Sequence, residues 1–173
     1  MATSQSLTRN AFQAAMSEFK ANLNDDKLYT EILSVKSIDE VYHFTDKLQE
    51  EQGRQRRLRN LPKIEPYLKR LREYAGVIEV FMQVHPEIIA LIWGPIKLLL
   101  QWSSVLTDSF DAILNTFADI GELLPEFKEV TVLFEQNTRI YDALVLFFKD
   151  ILDFYLVGLK FFTMSRMAND FVL

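Results

Sequence analysis

Cysteine is absent from this chain of 173 residues. That excludes disulfides, thiolate nucleophiles, zinc ribbons and Cys-ligated iron–sulfur clusters. Histidine occurs twice, at His43 and His85, so there is little material for a His-based metal site or a general-base triad. Glycine and proline are scarce, five of each. Tight turns depend on both residues, and long helices joined by short polar links suit that scarcity better than strands and hairpins. The five glycines (Gly53, Gly76, Gly94, Gly121 and Gly158) are isolated from one another. None falls in a loop of the kind that cradles a phosphate, and no G-x-S-x-G elbow or H-E-x-x-H pair occurs. No cofactor, metal or small-molecule substrate is expected. The opening segment Met1 to Asn10 is polar and lacks the apolar stretch of a secretory signal, which makes the cytoplasm the expected location.

What is abundant is apolar surface. Hydrophobic residues make up 49% of the chain, including 14 Phe, 6 Tyr and 2 Trp. A chain of this length buries about 70% of its unfolded surface as one domain, so a single helical domain over residues 1–173 is expected, with its core between about 7 and 163. The apolar residues recur at helical spacing. Leu7, Ala11, Phe12, Ala15, Met16, Phe19 and Leu23 trace one face of a first helix. Asn24-Asp25-Asp26 ends it and caps a short second one carrying Leu28, Tyr29, Ile32 and Leu33. Ser37-Ile38-Asp39-Glu40 has the form of a capping box, in which the first and fourth side chains satisfy each other's backbone N–H groups. The helix it opens carries Val41, Phe44 and Leu48. After Pro62 and Pro66, a stripe of Tyr67, Leu68, Leu71, Tyr74, Ala75, Ile78, Phe81 and Met82 spans about four turns.

His85-Pro86 breaks that helix, and Pro86 suits the first position of the next, with Glu87 favourable near its positive end. From Ile88 to Thr107 the sequence is almost wholly apolar, with Lys97 the sole charge and Gly94-Pro95 as a mid-run interruption. A Lys near the middle of a membrane span costs roughly 2.5–3.5 kcal/mol. A helix apolar on all sides also describes the centre of a bundle, and that is the reading adopted. Asp108 is placed as the cap of a helix with Phe110, Ile113, Leu114, Phe117, Ile120 and Leu124. Pro125 starts a short one with Phe127, Val130, Leu133 and Phe134. The last runs from Arg139 to about Phe162, and Ser165 to Leu173, which has no helical stripe, is expected to be a disordered tail. The fold class is all-α, a bundle of seven or eight helices around a central apolar one.

Charge is unevenly spread. Arg54, Arg56, Arg57, Arg59, Lys63, Lys69, Arg70 and Arg72 are opposed only by Glu65, so this band carries +7 within a chain of net charge −5 and the remainder carries −12. An acidic body repels a phosphate backbone, which speaks against nucleic acid as a partner. The band reads either as a solvated helix face or as a contact for an anionic surface, on a protein or on acidic lipid. Two further features invite a functional reading. Glu40-Val41-Tyr42-His43 has the Glu-x-x-His spacing of di-iron bundles, but the second such pair those sites need does not exist. The last helix is rich in aromatics, and Phe154, Val157, Phe161 and Phe162 spread around it, so some of them are candidates for an exposed patch.

The run Val84 to Gln101, VHPEIIALIWGPIKLLLQ, resembles the hallmark of an N-terminal helical domain of fungal NOD-like receptors, the signal-transducing STAND NTPases with NACHT cores and ankyrin or similar repeats. The matching residues are His85-Pro86-Glu87, Ala90 to Gly94 with Trp93, Ile96-Lys97 and Leu99 to Gln101; the likeness extends over about Pro62 to Phe162. No nucleotide-binding loop or repeat array of those receptors occurs within this sequence. The motif is explicable as structure: Pro86 starts a helix, Trp93 fills the core, Gly94 admits a close neighbour, and a buried Lys97 requires a carboxylate or a helix C-terminus. The resemblance implies a non-enzymatic signalling module whose partner is another protein or a second copy. The alternative it implies is a membrane-active cell-death effector acting on anionic lipid.

Overall fold

The computed structural model describes residues 2–54, 61–82, 86–103, 107–127 and 138–170. Among them are seven α-helices, a single 3-10 turn and no strand. The helices are α1 (Ala2–Leu23), α2 (Asp26–Leu33), α3 (Ile38–Arg54), α4 (Glu65–Met82), α5 (Pro86–Ser103), α6 (Thr107–Leu123) and α7 (Thr138–Asp170), with the 3-10 turn at Leu61–Ile64 before α4.

Local chemistry accounts for the breaks. Asn24 takes a left-handed backbone conformation with φ of 50°, which Asn tolerates better than most residues, and this ends α1. Asp25 then caps α2, its carboxylate accepting the Leu28 N–H at 2.9 Å. The cap of α3 differs from expectation by one position. Glu40 reaches back to the N–H of Lys36, at 2.8 Å, one residue before the Ser37 of the capping box. That leaves the other oxygen of the carboxylate free to serve a tertiary contact described below.

The helix α5 lies at the centre, in contact with α2, α3, α4, α6 and α7. Twelve of its 18 residues are buried, as expected for the central apolar helix. Pro95 sits inside it without ending it, so Gly94-Pro95 is no interruption of the helix. Proline removes one backbone bond and crowds the preceding turn. The carbonyl that loses its donor is that of Leu91; the next one, of Ile92, receives the Tyr155 hydroxyl at 3.1 Å, a bond supplied from another helix. Around α5, α1 packs along α7 and α4 packs on α6.

The core draws on every helix, from Phe12 on α1 to Phe162 on α7. Of the α4 stripe, Tyr67, Leu68, Leu71, Tyr74, Ala75 and Ile78 are buried, and Val77 joins them; the side chains of Phe81 and Met82 are outside the described residues. Two glycines set the helix spacing. A Cβ on Gly121 of α6 would lie 2.8 Å from Cα of Tyr67, and one on Gly94 would lie 2.9 Å from Cγ2 of Ile32 while also meeting that residue's carbonyl. Both are backbone-to-backbone approaches that no side chain can enter.

Two boundaries move. The last helix continues through Asp170, so its expected end near Phe162 is corrected, and Ser165 to Asp170 of the expected tail are helical; residues 171–173 lie outside the described residues. No Gly or Pro follows Gly158, and nothing in the sequence stops the helix there. Asp108 falls inside α6, one residue after its start. The short helix expected around Val130, Leu133 and Phe134 lies outside the described residues. Phe127, its first apolar residue, is buried against Tyr74 and Phe147 at centroid distances of 5.2 and 5.1 Å.

Candidate functional site

Three regions carry the polar and exposed groups that the sequence singles out: the basic band, the hallmark segment of α5, and the outer face of α7.

The basic band is divided by its partners. Arg70 bridges Glu73 on its own helix at 3.3 Å and Glu126 beyond α6 at 2.9 Å, and these carboxylates, Glu126 foremost, raise its pKa. Arg72 lies over the ring of Tyr42, 5.3 Å from its centroid. The Tyr42 hydroxyl donates to Glu65 at 3.1 Å. Partial burial, and then the Glu65 charge, push its pKa up to about 12. Lys63 donates to the amide oxygen of Asn115 at 3.1 Å. Arg54 and Lys69 are exposed, whereas Arg56, Arg57 and Arg59 are outside the described residues. Of the described members, Lys63, Arg70 and Arg72 are therefore already engaged, and they tie α4 and the 3-10 turn to α3, α6 and the segment after α6.

The hallmark residues mostly face inward. Pro86 opens α5 and Glu87 follows in its first turn, both exposed; His85 is outside the described residues. Trp93 is buried, Gly94 admits α2, and Lys97 meets the free oxygen of Glu40 at 3.2 Å. The carboxylate that a partly buried Lys97 requires thus comes from α3. The Glu40 pKa is lowered, first by the Lys36 N–H and further by Lys97, with partial burial opposing. A carboxylate with a lowered native pKa contributes stability that is fully present above its unfolded value, about 4.3, and is lost as pH falls through the native value. Both side chains are partly exposed, at 29% and 38%, so the pair is worth on the order of 0.5 kcal/mol. Glu40→Gln is expected to lower stability by that amount at pH 7. The gap to wild type should close as pH drops below 4, read from urea titrations at each pH.

The Glu-x-x-His pair of the sequence lies on α3. Glu40 is committed to Lys36 and Lys97, and His43 is exposed. Among the described residues, no three His, Asp or Glu side chains gather closely enough to hold a metal ion. An open cleft of about 530 Å³ lies beside Pro86 and Glu87, with Leu33, Lys36, Glu79 and Ala90 among its walls. Its charges are mixed. Burial, and after it the Glu87 charge, raise the pKa of nearby Tyr29.

Among the buried polar groups the sequence did not flag are three tyrosine hydroxyls. The Tyr155 proton goes to the Ile92 carbonyl, so Tyr67, 3.0 Å away, must be the donor to the Tyr155 oxygen. Tyr74 donates to the Leu144 carbonyl at 2.6 Å. Burial raises all three phenol pKa values well above the ordinary one, so they stay neutral and act as braces between α4, α5 and α7. Their helical spacing marks them as core; their hydroxyl partners are on other helices and leave no local signal.

On α7 the aromatic residues divide by face. Phe148, Tyr155 and Phe162 are buried, Phe147 and Phe154 are half-buried, and Phe161 is 56% exposed. Val157 and Met164 are each 72% exposed and Leu146 is 61% exposed. Of the four residues suggested as a patch, Val157 and Phe161 are exposed, Phe154 is half-buried and Phe162 is buried. Among the described residues, no helix is long and apolar enough to cross a membrane.

Comparison with curated proteins and with solved structures finds no match. A family pattern does match, over residues 64–171, from the last residue of the 3-10 turn through the end of α7. It takes in α4 to α7 and the hallmark segment, and it leaves out α2 and α3, which carry the partners of Gly94 and Lys97. The chain belongs to the family described as Domain of unknown function (DUF7708).

Proposed function

We propose that this domain is a non-enzymatic protein-interaction module of the signalling kind found at the N-terminus of fungal NOD-like receptors. One observation carries the reading. The hallmark side chains that are described deep in α5 are consumed by packing, while α7 turns Leu146, Val157, Phe161 and Met164 outward. Exposed apolar side chains aligned on one helix are the usual mark of a surface that another protein covers. The module acts by contact, passing an assembly signal through that surface without turning over a small molecule.

The alternative is a membrane-active effector that uses the basic band on anionic lipid. It has less support, because Arg70 is held by two carboxylates, Arg72 by Tyr42 and Lys63 by Asn115. Dye release from anionic and neutral liposomes separates the two. The interaction module is expected to release no dye from either, with no change when Arg54, Arg56, Arg57 and Arg59 are replaced by Glu. Release from anionic vesicles that salt screens and those changes abolish would overturn the interaction reading.

A further inference from the structure

The outer face of α7 carries a repeating order. Leu146, Asp150, Asp153, Val157, Lys160 and Met164 are spaced alternately four and three residues apart, and all six are exposed. That spacing places them in one line along a helix, as the a and d positions of a coiled coil are placed. At 1.5 Å per residue the line is about 27 Å long.

We propose that this line is a homodimer interface in which α7 pairs antiparallel with α7 of a second copy. The proposal rests on the interaction-module reading and names its partner and its surface. The order of side chains along the line is complementary to its own reverse. A two-fold axis level with residue 155 sets each position opposite the one equally far on the other side. Leu146 then meets Met164 of the second copy, Asp150 meets Lys160, and Asp153 lies beside Val157; each contact is made twice. Every apolar end residue finds an apolar partner and every Lys160 finds a carboxylate. A parallel pairing would set Asp150, Asp153 and Lys160 each against its own like charge. The sequence of the face thus selects both the orientation and the register, and an isologous contact of this kind closes on itself as a dimer. Phe161 flanks the line and gains cover from the second helix. Lys149, also nearby, is held by Glu18 of its own chain at 3.0 Å, so it does not compete for Asp150.

A single pair of helices makes a small interface, below about 1,200 Å², so the dimer is weak and is read at high protein concentration. Sedimentation equilibrium of the whole chain tests it through charge exchange. Wild type is expected to show a reversible monomer–dimer equilibrium. Asp150→Lys alone, and Lys160→Asp alone, each turn two attractive pairs into repulsive ones and should weaken dimerisation at least about 10-fold. The doubly exchanged chain, D150K with K160D, should dimerise like wild type. Mixing the two single variants should give a heterodimer, because the Lys-rich line of one then faces the Asp-rich line of the other. All these positions are exposed, and unchanged thermal unfolding of the variants confirms that the fold is intact. A wild type that stays monomeric throughout, or one whose association is the same in D150K, overturns the α7 interface. The dye-release assay above bears on the interaction reading separately, so the two can fail independently.

Discussion

Gly94→Ala is expected to lower the unfolding free energy by at least about 2 kcal/mol, although alanine is the better helix former by about 1 kcal/mol. The added methyl would meet the carbonyl of Ile32 and lie 2.9 Å from its Cγ2. The Cγ2 can rotate away at some cost, but the carbonyl belongs to the backbone of α2 and can yield only if the whole helix moves. Moving α2 outward opens the contact of Ile32, a buried residue, with α5. The measurement is the urea midpoint, compared with Gly76→Ala. Gly76 also lies within a helix, α4, but a Cβ there meets nothing within 4 Å. That variant is expected to gain about 0.4–1 kcal/mol by restricting the unfolded chain and favouring the helix. Opposite signs for the same substitution at two helical glycines would place the cause in tertiary contact. If both variants stabilise the fold, the close approach of α2 and α5 is wrong.

Tyr155→Ala is expected to cost about 3–5 kcal/mol, the range for removing a large aromatic side chain from a core. Tyr155 is fully buried, and its ring lies 5.8 Å from that of Phe154. Tyr155→Phe isolates the hydroxyl. It keeps the ring but leaves the Tyr67 O–H, itself buried, without its acceptor and the Ile92 carbonyl without its second donor. A buried group stranded in this way costs about 1–3 kcal/mol. Removing both hydroxyls, as Phe at 67 and 155, takes away the stranded donor as well. The double variant is therefore expected to be no less stable than Tyr155→Phe alone, a departure from additivity diagnostic of a direct contact. Equal and additive losses from Tyr67→Phe and Tyr155→Phe would show that the two hydroxyls do not share a bond. Urea denaturation of the four proteins is sufficient, since the comparison concerns differences.

Gly94 and Tyr155 each fix one neighbour of α5. Gly94 governs how α2 rests on it, and Tyr155 governs how α7 braces the turn before Pro95. With the Lys97–Glu40 pair from α3, three helices are attached to one apolar helix by one specific contact each. Hydrophobic burial alone is non-directional, and the close approach and the two polar contacts supply the register it lacks.

Much of this was legible in the residues themselves. Periodicity marked the buried faces of α1, α3, α4 and α6, because a helix with one side against a core must repeat its apolar residues every three or four positions. Asp25 as a cap followed from the short polar run Asn24-Asp25-Asp26, and an apolar α5 with a single Lys followed from composition. Trp93 as core filler and Gly94 as a close-approach point were likewise readable, since their chemistry leaves few other uses in a buried helix. Tertiary structure decided the partners. Lys97 needed a carboxylate, but only folding brought one from 57 residues away. Tyr155 needed an acceptor, and it came from a backbone 63 residues away, with Tyr67, 88 residues away, completing the chain of hydroxyls. The basic band looked continuous in the sequence, and folding divided it by bringing Glu126 to Arg70 across 56 residues. Periodicity and capping act within a few turns of one helix, so the sequence states what each side chain requires. Which distant group meets that requirement is set by how the helices cross, and no local pattern encodes that.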